Sequence, residues 1–164
     1  MQTTQKIVES AFKADLDTIE PSTLIKAKQL IRDGFGVMLL GLEHQTIEIL
    51  VNYFKDVQTR EGVDVLKHGI KGSTANAAYI YGCATHSMDF EPMFLPPTHV
   101  VSPVLSPLIA LIQAGKGNGE LLLKAFVVGI QLEADLRKGA RSSDEQAAKK
   151  EHHFPFDKHG FHPP

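Results

Sequence analysis

Residues 73–91, STANAAYIYGCATHSMDFE, decide how this chain folds. Ser73 and Thr74 bring hydroxyls that take up free N–H groups at a helix start. From there the chain runs through Ala75, Ala77, Ala78 and Ile80 to about His86 with no proline. Side chains this small let a second helix approach closely. The stretch therefore predicts a helix made to sit among other helices.

Helical spacing recurs on both sides of it. Ile7, Val8, Ala11 and Phe12 share one face of a short first helix that stops before the polar stretch Asp15 to Glu20. Pro21 stands where a helix-starting proline is tolerated. Leu24, Ile25, Lys28, Ile31 and Phe35 follow at helical steps, running on into Val37 to Leu40. Gly34, Gly36 and Gly41 mark places where another backbone comes close or the element ends. A third helix covers roughly Gln45 to Val57, with Ile47, Leu50, Val51 and Phe54 on its apolar face. The β-branched run at Val63 to Leu66 reads as a connector, since no partner strand is visible.

On the other side, five prolines between Asp89 and Pro107 (Pro92, Pro96, Pro97, Pro103 and Pro107) exclude regular structure from the first half of that segment. Leu105 to Gln113 resumes a helical pattern and Gly115 to Gly119 breaks it. Glu120 to about Lys138 is the most apolar helix, with Leu121, Leu122, Ala125, Phe126, Gly129 and Leu132 as its core face. From Ala140 onward the sequence is charged and then histidine-rich, with no recognisable helix. The class is all-α: one domain, residues 1–164, of about six helices packed as a bundle without a sheet.

The bulk composition narrows the function classes. The chain has 164 residues, 43% of them hydrophobic, and a formal net charge of −2 with no dense basic stripe, which makes nucleic acid a poor partner. Cys83 is the single cysteine, so no intramolecular disulfide forms. The opening MQTTQKIVES has neither a signal-peptide pattern nor an arginine, and no window holds the ~18 apolar residues of a membrane helix. Together these place the protein in the cytoplasm.

Chemistry concentrates at Thr85-His86-Ser87-Met88-Asp89-Phe90-Glu91, followed after the proline-bent loop by Thr98-His99. A helix end feeding a rigid loop can hold an acid against an imidazole, fixing its tautomer and basicity. Equally, Asp89 can cap a turn and His99 can be a solvated loop histidine. The terminal His152, His153, His159 and His162 have the composition of a zinc site, but no Cys or paired acidic ligand supports one, and a solvated tail is preferred. The Lys116-Gly117-Asn118-Gly119 turn is no phosphate loop, because no strand precedes it and no GK[ST] follows.

Ala75-Asn76-Ala77-Ala78 running to His86-Ser87-Met88-Asp89-Phe90, then Thr98-His99 and Pro103-Val104-Leu105, form an ordered series that resembles the MmgE/PrpD family. Ala27-Lys28, Ile31, Asp33, Gly36 and Gly41 continue the likeness upstream, and Gly129-Ile130 with Gly160-Phe161-His162-Pro163-Pro164 continue it downstream. The resemblance implies the first part of a larger helical domain in a longer, homodimeric enzyme, whose lysines and smaller α/β domain lie beyond Pro164. It also implies a lyase that breaks a carbon–oxygen or carbon–carbon bond in a small polycarboxylic acid of the 2-methylcitrate or cis-aconitate type. No cofactor, metal or iron–sulfur cluster is implied.

Matched position by position, Asp89, His99 and His162 are the expected catalytic residues. The two histidines would serve as base and acid in either order, with Asp89 orienting an imidazole or the substrate. Two departures stand out. Glu91-Pro92-Met93 replaces a pair of acids and a small hydroxyl residue, and a charged insertion covers Ser142 to Glu151. The alternative is a non-catalytic truncated helical module that keeps only packing or dimerisation.

Overall fold

In the computed structural model, which describes residues 3–13, 15–57, 62–94 and 98–150, the helix expected from Ser73-Thr74 to about His86 is present and packs against three others. It is α4 (Thr74–Ser87), and the Ser73 hydroxyl accepts the Asn76 N–H at 3.1 Å as its cap. Before it come α1 (Thr3–Lys13), a short 3-10 turn (Leu16–Thr18), α2 (Pro21–Gly41) and α3 (Gln45–Lys55). After it come α5 (Val101–Gln113) and α6 (Gly119–Lys150). The expected all-α class holds. No single helix among the described residues is long and apolar enough to cross a membrane.

Two small antiparallel ribbons modify the expected picture of a bundle without a sheet. Val63–Asp64 (β1) pairs with Lys71–Gly72 (β2), so the connector at 63–66 does have a partner strand. The intervening turn is closed by Lys67 and Gly69, both at positive φ. Met93–Phe94 (β3) pairs with Thr98–His99 (β4) in the proline-rich segment, with Met93 opposite His99.

α4 contacts α2, α3 and α5, and its small residues explain how it takes three neighbours. Ala77, Ile80, Tyr81, Ala84 and Thr85 are buried. All but Thr85 join Met38, Leu42, Ile47, Val51, Val63, Val65 and Ile70 in one core cluster. Burying each of the larger aliphatic side chains contributes about 1.5–3 kcal/mol. Gly41 makes the closest approach: a Cβ there would run into the Ala84 carbonyl oxygen, with the carbonyl carbon 2.7 Å away. A second cluster gathers Ala27, Val100, Val101, Leu105 and Phe126, with Gly34 of α2 seated against Val101 and Leu105.

Several boundaries differ from expectation for identifiable reasons. The buried stripe of α2 is Ala27, Gly34, Met38 and Gly41, while Ile25 is exposed. Close helix contact selects the small Ala27, Gly34 and Gly41 there, while Met38 fills the core between them. α5 begins at Val101 instead of Leu105 and runs through Pro103 and Pro107. Pro103 lies in the first turn, where N–H groups have no intrahelical partner, so only Pro107 removes a bond. Helix α6 continues to Lys150, past the expected end near Lys138 and into the charged segment. Ala, Gln, Glu, Lys and Arg are strong helix formers, and residues 141–150 hold neither Gly nor Pro. On the apolar face of α6, Phe126 is buried but Leu121 is exposed. Chain contacts divide residues 1–130 from 131–164 as two units, and the features below lie in the first.

Candidate active site

Three elements bring their ends together around one carboxylate. His86 lies in the last turn of α4, Glu91 follows four residues after that helix, and His99 ends β4. Asp89 makes the reversal between them at φ 55°, with its N–H donating to the His86 carbonyl at 3.0 Å. Aspartate is among the few residues with a side chain that adopt this left-handed turn readily. The turn leaves Asp89 exposed and sends Glu91 inward.

Glu91 has no solvent-exposed side-chain surface. Burying a carboxylate is costly unless it is paired and hydrogen-bonded, and the start of α5 supplies the bonds. Val101 and Ser102 donate their backbone N–H groups to Oε1 at 2.9 and 2.6 Å. The residue at the cap position of α5 is Val100, which has no acceptor, so Glu91 caps the helix from ten residues upstream. The positive end of the helix dipole favours the carboxylate's charge in that place.

The other oxygen, Oε2, faces two imidazoles. His99 Nδ1 lies 3.4 Å away and His86 Nδ1 3.5 Å away. The two rings meet edge to face, with centroids 4.3 Å apart at 88°. Neither approach has hydrogen-bond geometry: Oε2 and His99 Nδ1 are both buried without a hydrogen-bond partner among the described residues. The His99 side chain keeps 30% of its surface exposed and that of His86 55%, so both rings can be reached from solvent. Such an arrangement can hold a proton on an imidazole beside a fixed negative charge, orient that imidazole, or bind a cation. His86, Glu91 and His99 each offer a ligand atom such that the three lie within 4.8 Å of one another.

Of the expected site residues, His99 stands in this cluster. Asp89 stands beside it in sequence, but its carboxylate makes no hydrogen bond or ion pair among the described residues, and the acid facing the imidazoles is Glu91. His162 lies outside the described residues, as do His152, His153 and His159. Sequence reasoning included Glu91 and His86 in the polar constellation but did not choose them as site residues. The signal, a helix whose cap position is a valine and which calls for an acceptor from elsewhere, shows only once the start of α5 at Val101 is known. A shallow depression of about 620 Å³ along α2, lined among others by Lys26, Arg32 and Asp33, includes none of the three clustered residues. It comes from a single helix face, so convergence of polar groups, not concavity, singles out the site.

Comparison with known proteins identifies the family. A family model described as the MmgE/PrpD N-terminal domain matches residues 5–155. The chain is similar to a human protein named cis-aconitate decarboxylase, 31% identical over 144 residues, covering 85% of this chain and 28% of the relative. It is also similar to the mouse protein of that name, 34% identical over 116 residues, covering 68% of this chain and 24% of the relative. The chain thus spans about a quarter of the length of these curated relatives. The match takes in α4, the reversal at Asp89, both ribbons and α5, and the chain belongs to the MmgE/PrpD family through its N-terminal domain.

Proposed function

We propose that this chain supplies part of a lyase site for a small polycarboxylic acid of the cis-aconitate or 2-methylcitrate type, with His99 as the proton-transferring residue. The observation that carries this reading is the His99 ring, partly exposed and set 3.4 Å from the buried Glu91 carboxylate. Family membership and the names of the relatives supply the reaction class.

Both candidate reactions need a group that carries a proton near neutral pH. In decarboxylation the C–C bond breaks, carbon dioxide leaves, and the electron pair left on carbon takes a proton. In dehydration a base removes a C–H proton and an acid protonates the departing hydroxide. An unperturbed imidazole titrates near about 6.5 and serves either way. His99 takes or gives the proton, with the Glu91 carboxylate facing its ring. Asp89, exposed at the turn beside the cluster, is the substrate-touching acid of this reading. His162 is the second imidazole of the reading, and the homodimer implied by the resemblance belongs to the same proposal.

The test is an assay of the purified chain against cis-aconitate, citrate and 2-methylcitrate, following unsaturated acid by ultraviolet absorbance and released carbon dioxide in parallel. Turnover that His99→Ala abolishes, in a variant that melts like the parent, is the expected result. Turnover equal in His99→Ala and the parent would refute the assignment.

A further inference from the structure

We propose that Met93 is a specificity-determining residue of this site and selects a polycarboxylic acid that carries an alkyl group. The inference rests on the reading of His99 given above and names the substrate feature that the same site prefers.

Strand register places Met93 beside the imidazole. In the β3–β4 ribbon Met93 pairs directly with His99. Residues directly opposite in an antiparallel pair send their side chains to the same face, with Cβ atoms about 4.5–5.5 Å apart. Glu91, two residues before Met93, turns its carboxylate to the same His99 ring. Two residues is the same-side period of an extended chain. The two side chains both keep solvent-exposed surface, 51% for the residue Met93 and 30% for the His99 side chain. A ligand that reaches the His99 ring therefore meets Met93 beside it.

Packing does not account for a methionine at this position. Among the described residues Met93 belongs to neither core cluster, and half of its surface lies open. A single exposed apolar side chain is ordinary on a protein surface. Its place opposite His99 is what gives this one a function.

The chemistry of the side chain sets the preference. A thioether donates no hydrogen bond and accepts only weakly. A substrate hydroxyl or carboxylate oxygen pressed against it gives up water without gaining a partner, which is costly. An alkyl group pressed against it gains by leaving water. Methionine is also unbranched and flexible, so it can follow chains of different length. The small hydroxyl residue that the family resemblance expects here has the opposite preference, because it both donates and accepts. A site so changed discriminates by the difference between these two terms, against the unsubstituted acid and for the alkyl-bearing one.

The experiment reads binding, not turnover. The probes are succinate, methylsuccinate and butylsuccinate, which keep two carboxylates and lengthen one alkyl chain. The full chain, labelled with ¹³C in its histidine rings and methionine methyl groups, is titrated with each acid while the His99 and Met93 signals are followed by NMR. The signals are assigned by their loss in His99→Ala and Met93→Leu. Met93→Leu keeps an apolar side chain of similar volume, and Met93→Thr puts a small hydroxyl in its place. Neither change touches a core cluster, and circular dichroism checks the fold of each variant.

In the expected result each acid shifts the His99 signal, and butylsuccinate binds about tenfold more tightly than succinate while also shifting Met93. Met93→Leu keeps that ratio and Met93→Thr brings it to about one. Equal affinities in the parent, or a preference that survives in Met93→Thr, overturn the inference while the shifts at His99 leave the site reading in place. A His99 signal that none of the three acids moves overturns the site reading and this inference with it, so the two failures are told apart.

Discussion

Replacing Gly41 by alanine should unfold this chain far more readily than the same replacement at Gly36 in the same helix. A Cβ on Gly36 would meet nothing within 4 Å, whereas one on Gly41 would collide with the Ala84 carbonyl of α4, whose carbon lies 2.7 Å away. Neither glycine has a positive φ, so backbone strain enters neither comparison. At Gly36 only helix propensity changes, and alanine should stabilise by about 0.5–1 kcal/mol. At Gly41 the obstacle is backbone, which cannot rotate aside like a side chain. Interiors are packed too densely for α2 and α4 to part without loss of contacts.

Overpacking of this kind costs typically about 1–3 kcal/mol, and a backbone obstacle puts Gly41→Ala at the upper end. The two variants should therefore differ by about 3 kcal/mol in urea denaturation at 25 °C. For a chain of this size that is roughly 6–12 °C in Tm. The m-values should stay equal, showing that the folded states are alike in compactness. Equal stability of the two variants within about 0.5 kcal/mol would refute the close α2–α4 crossing at Ala84, and with it the reason given for small residues along both helices.

Tyr81 of α4 donates its hydroxyl to Gln113 Oε1 at 2.7 Å and accepts the Leu66 N–H at 3.2 Å. Tyr81→Phe strands both partners and should cost about 1–3 kcal/mol in chemical denaturation. Burial raises the Tyr81 phenol above its ordinary value of 10.0. The unfolded chain thus ionises first, and stability falls as pH rises through that value and beyond. The alkaline loss should be smaller in Tyr81→Phe than in the parent, and identical pH profiles would contradict the buried hydroxyl. Cys83, half-buried on the same helix, has its thiol pushed up by burial against a smaller opposing effect from Tyr79. A disulfide reagent at pH 8 should modify it about tenfold more slowly in the folded chain than in urea. Equal rates would show that the thiol is open to solvent.

The fold was legible wherever a residue's local preference and its tertiary use agree. Ser73 caps α4, Pro21 opens α2, and Ile47 and Val51 turn the third helix inward, each as its residue type dictates. Gly41 marks a close backbone approach, one of its two expected roles. Legibility failed where prolines and polar residues carry two meanings. Pro103 reads as a breaker until the helix start is known, and at Val101 it falls in the turn that needs no N–H. The segment after Ala140 reads as a loop because it lacks an apolar stripe, yet its residues are good helix formers and α6 runs on to Lys150.

The candidate site was harder to read because the value of a carboxylate depends on what it faces. A glutamate between Phe90 and Pro92 is solvated by default, and neither neighbour says otherwise. Its burial follows from two remote facts: the left-handed turn at Asp89, and the start of α5 at Val101 without a capping side chain. These two facts also separate the two acids, leaving Asp89 exposed and placing Glu91 against the rings of His86 and His99. Because one oxygen of Glu91 is tied to the first N–H groups of α5, the position of the other depends on where that helix begins. The site and the helix start are thus one structural unit, and a change that moves the first turn of α5 should move Oε2 away from both imidazoles together.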